Sequence, residues 1–225
     1  MSTIAQNLQR VETRIASACQ AAGRDPASVR LLAVSKTWGA QEVRLAHAAG
    51  QRAFGENYIQ EGVDKIQALQ DLDLEWHCIG PIQSNKTRLV ATHFDWVHSI
   101  DRLKTAERLS AQRPPSLPPL QVCIQVNLDG GENKSGVTPD QALVLAQAVA
   151  KLPHLQLRGI MTIPEPGDDE STRAVHAQAQ ALWLRLKSAG LQLDTLSMGM
   201  SADLDAAVKE GSTMVRIGTA IFGQR

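Results

Sequence analysis

Aromatic side chains are scarce in this chain: one tyrosine, three phenylalanines and four tryptophans among 225 residues. Any phenolic acid–base chemistry therefore falls to Tyr58 alone. An excess of one charge is missing too. Twenty-three Lys and Arg balance 23 Asp and Glu, so nothing here binds nucleic acid by bulk electrostatics. No run of about 18 apolar residues occurs, which excludes a membrane-spanning helix. The three cysteines, Cys19, Cys78 and Cys123, are odd in number and far apart. They form no CxxC or Cys/His pattern with zinc spacing, and no metal is expected. They read as small buried apolar residues in a reducing compartment. The first eight residues lack the basic start and apolar core of a secretory signal, so a cytoplasmic protein is expected.

What is present is 43% hydrophobic residues, enough for one substantial core, in a regular order. Ile4, Leu8, Val11, Ile15 and Ala18 fall at helical spacing and predict a helix over 4–22, stopped by Gly23. Short apolar runs predict strands at 31–36, 52–55, 74–79, 95–99, 120–126, 155–162, 195–198 and 214–217. Helices are predicted between them at 41–49, 58–69, 85–91, 102–111, 139–151, 171–189 and 202–209. A proline-rich connector covers 113–119 and a polar loop 127–136. Strands alternating with helices imply right-handed parallel crossovers. Eight of them imply a closed (β/α)8 TIM barrel, an α/β single domain over 1–225 with an extra N-terminal helix. An open doubly wound sheet is the alternative.

In such a barrel the chemistry sits at the C-terminal ends of the strands. Leu32, Val34 and Lys36 share one face by period-two alternation, so Lys36 is expected to point into the mouth. A lysine snorkelling to solvent is the plainer reading. After strand seven, Ser201 precedes a predicted helix beginning at Ala202, which offers a hydroxyl and free N–H groups to an anion. After strand eight, Gly218 permits close approach to the backbone and Thr219 adds a hydroxyl. Each turn alone could be an ordinary cap; together they stand where barrels commonly bind phosphate. Closure places strand eight beside strand one, so Arg216 and Lys36 are expected as neighbours on the mouth, needing an anionic partner. A lysine, an arginine and a phosphate site are the parts that hold pyridoxal 5′-phosphate as a Schiff base.

Longer motifs carry a resemblance. They are Ala33-Val34-Ser35-Lys36, Phe54-Gly55-Glu56-Asn57-Tyr58, Trp76-His77-Cys78-Ile79-Gly80, Gln83-Ser84-Asn85-Lys86, Lys134-Ser135-Gly136 and Gly159-Ile160-Met161-Thr162-Ile163. Most specific are Leu196-Ser197-Met198-Gly199-Met200-Ser201-Ala202-Asp203 and the stretch from Gly211 to Gly223. Nearly end to end, the chain resembles the pyridoxal phosphate homeostasis proteins, relatives of the barrel domain of bacterial alanine racemase. Cys78 and Pro81-Ile82 depart from the usual pattern. The resemblance implies a covalent aldimine at Lys36 and a phosphate held by Ser201, Gly218 and Thr219. It puts Arg216 at the pyridine nitrogen, Asn57 beside the cofactor, and Met200 in packing or lending a backbone N–H.

An arginine at the pyridine nitrogen weakens the ring as an electron sink. Racemisation also needs an acid–base group on the opposite face. In the related racemases a tyrosine of an additional C-terminal domain serves, and this chain ends with its barrel. The expectation is therefore a binder that buffers and delivers pyridoxal phosphate, with PLP-dependent apo-enzymes as partners, no residue assigned to catalysis, and a monomeric state. A PLP-dependent amino-acid racemase is the alternative, and a Schiff-base aldolase without cofactor a third reading. Lys134 reads as a loop lysine or one that exchanges the aldehyde with Lys36. Lys86 reads as a surface lysine or a source of positive potential at the mouth. His77 is expected as a hydrogen-bonded core residue, His98 as a weak candidate for the mouth, and the other histidines on the surface. Trp38 is expected to wall the site or cover the barrel rim.

Overall fold

The computed structural model describes residues 3–130, 135–165 and 167–224. A leading helix α1 (Thr3–Ala21) and a single 3-10 turn (Pro26–Ser28) precede β1 (Arg30–Val34). There follow α2 (Ala40–Ala48), β2 (Ala53–Glu56), α3 (Ile59–Ala68), β3 (Glu75–Cys78), α4 (Thr87–His93), β4 (Trp96–Ile100) and α5 (Leu103–Gln112). The second half is β5 (Leu120–Gln125), α6 (Pro139–Val149), β6 (Leu155–Met161), α7 (Asp169–Ser188), β7 (Thr195–Ser197), α8 (Leu204–Lys209), β8 (Met214–Ile217) and α9 (Thr219–Phe222). The eight strands are parallel and close in sequence order, β8 pairing with β1 in the register Leu32 to Arg216. The expected (β/α)8 barrel is the observed fold.

The strands read as short apolar runs because both faces are covered. Outward residues such as Ala33, Phe54, Val97 and Val215 pack under the helices in one large core. Inward residues form two small apolar clusters: Leu32, Ala53 and Met214, with Ile79 against them, and Trp96, Cys123 and Met161. All three cysteines are buried, as expected. His77, His98, Ser197 and Arg216 are also buried, so the interior carries polar groups that must find partners inside it.

Two boundaries differ from the sequence expectation in ways that shape the mouth. β1 stops at Val34, short of Lys36, because the Ser35 carbonyl accepts from Lys65 Nζ at 2.6 Å and Thr37 turns the backbone to φ 66°. α8 starts at Leu204, not Ala202; Asp203 holds the N-cap position and its carboxylate accepts the Met200 N–H at 2.7 Å, closing a turn. Past β8 a third feature escaped prediction. Ile221 and Phe222 both donate to the Gly218 carbonyl and wind α9, which at four residues is too short to show a period. Among the described residues no helix is long and apolar enough to cross a membrane.

Candidate functional site

Lys36 stands exposed just past β1, on a turn fixed from both sides. Ser35 Oγ donates to Glu56 Oε1 at 2.5 Å, and the Thr37 N–H donates to Glu61 Oε1 at 2.6 Å. Buried Lys65 joins the two, donating to Glu56 Oε1 and to Glu61 Oε1 at 2.7 Å each. Burial pushes the Glu56 carboxyl up, and Lys65 and the Ser35 hydroxyl pull against it. Asn57 follows Glu56 at the end of β2. A Cβ on Gly80 would lie 2.1 Å from the Asn57 carbonyl oxygen, so only glycine lets the loop after β3 press Asn57 into place.

The ends of β7 and β8 face each other through two hydroxyls: Thr219 Oγ1 donates to Ser201 Oγ at 3.3 Å. Gly218 lies so close to β1 that a Cβ would meet the Val34 carbonyl oxygen at 3.1 Å. The turn holding Met200 and Ser201 is tied down twice. Asp203 Oδ1 accepts from Met200 N, and Asp203 Oδ2 lies 2.8 Å from His176 Nε2. Burial works against ionisation of Asp203, but the bonds from His176 and Met200 win and hold its carboxyl low. From the other side Arg14 of α1 donates to the Ser201 carbonyl at 2.7 Å and to Asp205 at 3.0 Å. Asn7 donates to the Ile221 carbonyl of α9 at 2.9 Å. The leading helix thus braces both segments. Met200 is 37% exposed, and its N–H is bonded to Asp203.

Arg216 is 4% exposed. Its Nη1 donates to Ser197 Oγ and its Nη2 to the Thr162 carbonyl, both at 2.8 Å. Burial lowers the guanidinium to about 10, with only partial compensation from Asp203. Beside it Thr162 Oγ1 is buried without a partner. The expectation that Arg216 and Lys36 are neighbours is corrected. Arg216 pairs in register with Leu32, four residues before Lys36, so the two are not opposite each other; the guanidinium is buried between the ends of β6 and β7, while Lys36 is exposed just past β1.

His77 is the expected core residue. His98 is not at the mouth; it is buried inside the barrel between His77 and Ser197. His176 corrects the expectation of surface histidines, being fully buried on α7. Lys86 occupies the N-cap of α4, half-buried. Trp38 stacks on Phe222 of α9 at 6.1 Å and so covers the rim. Lys134 lies outside the described residues. Glu56, Glu61 and Lys65 were missed by sequence reading, although Glu61 and Lys65 have the i,i+4 spacing of a helical ion pair. Among the described residues no group of three or more His, Cys, Asp or Glu could hold a metal ion.

Lysine, arginine and two hydroxyls around one rim form a set of hydrogen-bond donors, suited to a multiply charged anion that also offers a ring acceptor. Comparison with known proteins points the same way. The sequence profile of the alanine racemase N-terminal domain matches residues 6–225. The pyridoxal phosphate homeostasis protein of Pseudomonas aeruginosa is 61% identical over 225 residues, covering 100% of this chain and 97% of that protein. PipY of Synechococcus elongatus, solved with PLP bound, is 39% identical with a TM-score of 0.86, covering 98% of this chain and 100% of that one. An alanine racemase of Clostridium difficile shares the fold at a TM-score of 0.74 and 14% identity, covering 95% of this chain and 56% of the racemase.

Proposed function

The chain belongs to the alanine racemase N-terminal domain family, and on that premise we propose that it binds pyridoxal 5′-phosphate and serves its homeostasis. The residues fit the group. Thr162 Oγ1 is an orphaned buried hydroxyl beside Arg216. Gly218 leaves open a cradle that a Cβ would press against Val34. The rim supplies donors for a dianion. Ser201, Gly218 and Thr219 would hold the phosphate, Asn57 would stand beside the ring, and Met200 would pack at the edge. Lys36 would be the amine that holds the cofactor through its aldehyde, covalently but reversibly. When bound, the cofactor supplies an aldehyde and an electron-withdrawing ring. Arg216 would face the pyridine nitrogen, where a guanidinium donor would disfavour protonation of the ring and so weaken that withdrawal.

A carrier without significant turnover follows from this electronic setting. Tyr58, the one tyrosine, is 59% exposed at the N-cap of α3, which supports the same reading over a racemase. The protein would act as a cytoplasmic monomer that buffers the cofactor and hands it to PLP-dependent apo-enzymes.

The observation that carries the reading is the donor-lined rim around Lys36, Ser201 and Thr219 above a buried arginine. Incubation with pyridoxal phosphate is expected to give a visible absorption band that borohydride bleaches, and Lys36→Ala to lose it. An unchanged band in that variant would remove Lys36 from its role. Turnover of an amino acid at ordinary enzymatic rates, about 10 s⁻¹, would overturn the carrier assignment.

A further inference from the structure

A single file of hydrogen bonds crosses the barrel from Arg216 to the opposite mouth. Arg216 Nη1 donates to Ser197 Oγ at 2.8 Å. Ser197 Oγ lies 2.9 Å from His98 Nδ1, His98 Nε2 lies 2.9 Å from His77 Nδ1, and His77 Nε2 lies 2.5 Å from Glu75 Oε1. Glu75 is paired with Arg30 at 2.8 Å and faces a cavity of about 570 Å³ at the N-terminal ends of the strands. His77 lies flat against Trp96, with ring centroids 5.1 Å apart, which fixes its plane.

The donors and acceptors of this file are determined. Arginine only donates, so Ser197 Oγ accepts from it. Burial pulls both imidazoles below the ordinary histidine value, outweighing the pull of Glu75 on His77, so near neutral pH each carries one ring proton. Were His98 protonated on Nδ1, its Nε2 would accept from His77 Nδ1, and a lone pair on His77 Nε2 would face a carboxylate that Arg30 keeps ionised. That arrangement is repulsive. The remaining one runs one way: Ser197 donates to His98, His98 to His77 through its Nε2–H, and His77 to Glu75 through its Nε2–H. Every dipole then turns its negative end toward Arg216. Among the described residues no carboxylate hydrogen-bonds that guanidinium, and a buried cation needs a counter-charge.

We propose that Glu75, His77, His98 and Ser197 are positioning residues for Arg216, relaying the negative charge of Glu75 along the barrel to hold the guanidinium charged and aimed at the pyridine nitrogen. This rests on the reading of the mouth as a pyridoxal phosphate site. The relay links the two ends of the barrel: an event at the far cavity that draws Arg30 or Glu75 away alters the setting of the cofactor ring.

Two measurements on the full chain test it. In the ligand-free protein, long-range ¹H–¹⁵N spectra are expected to show His77 and His98 both as Nε2–H tautomers; a Nδ1–H form of either overturns the relay. In the protein loaded with pyridoxal phosphate, Glu75→Gln keeps an acceptor for His77 but removes the charge, and Ser197→Ala cuts the file next to Arg216. Each is expected to shift the visible band and weaken cofactor binding by about threefold or more, with the double variant no worse than either single, as for groups in one network. Ser197→Thr, which restores a hydroxyl, is expected to restore the wild-type band. Additive effects, or a band unmoved by both substitutions, overturn the relay while the cofactor reading stands. If Glu75→Gln does not fold, the tautomers and the Ser197 pair decide alone. A wild-type chain with no visible band overturns the cofactor reading and the relay with it.

Discussion

Lys65 brings one positive charge to two carboxylates beneath Lys36, with Glu56 and Lys65 itself almost wholly shielded from water. Lys65→Met keeps the volume and removes the charge, leaving Glu56 buried and uncompensated. Breaking such a pair costs about 3–5 kcal/mol, and urea unfolding near neutral pH is expected to show it. The deficit shrinks as pH falls. The folded-state Glu56 carboxyl is raised by burial, so the folded chain takes up the proton first and gains stability on acidification. Glu75 has the opposite sign. Burial opposes its ionisation, but the hydrogen bond from His77 and the charge of Arg30 hold it at about 2 against an ordinary 4.5. Its contribution is complete above the unfolded value and is lost as pH falls from there toward 2. Allowing for its partial exposure, this is about 1–2 kcal/mol. Urea midpoints of the wild type are expected to drop more steeply between pH 5 and 3 than those of Glu75→Gln; parallel curves would refute the assignment.

At the scale of elements, the turn from Met200 to Asp203 is held by groups remote in sequence: Arg14 from α1 and His176 from α7. Arg14→Ala removes an exposed pair worth at most about 1 kcal/mol in stability, yet it frees the Ser201 carbonyl. Cofactor titration is expected to show an affinity loss of about threefold or more with the fold intact, and equal affinity would show that the turn holds its shape without α1. Elements of this kind mark what the sequence could reveal. The strands were legible because each is an apolar run buried on both faces, and α1 because its buried residues repeat at helical spacing. Lys36 and Arg216 stood out as charges ending such runs. Their relative placement did not, since it depends on register across β1 and β8, which appears only when the barrel closes. His98 and Ser197 are 99 positions apart, and no local pattern announces a bond of that span. His176 sits on α7 with Asp203 as its partner 27 residues on; the helix period alone does not tell a buried histidine from a surface one.

At the scale of the whole molecule, the barrel separates two mouths, a donor-lined rim at one end and the cavity facing Glu75 at the other. Its closure is doubled: β8 pairs with β1 inside, and outside them α9 and α8 pack on α1 through Asn7 and Arg14. The exposed connector around Pro115 and Ser116 contributes no residue to either mouth's hydrogen bonds described above. A circular permutant opened between those two residues, with α9 joined to α1 by a short flexible linker, is expected to fold and to take up pyridoxal phosphate with the wild-type visible band. Failure of a soluble permutant to do so would show that the outer seam needs the native connectivity. Architecturally the polypeptide is a ring of strand–helix units, and α1 is the clasp that overlaps the join.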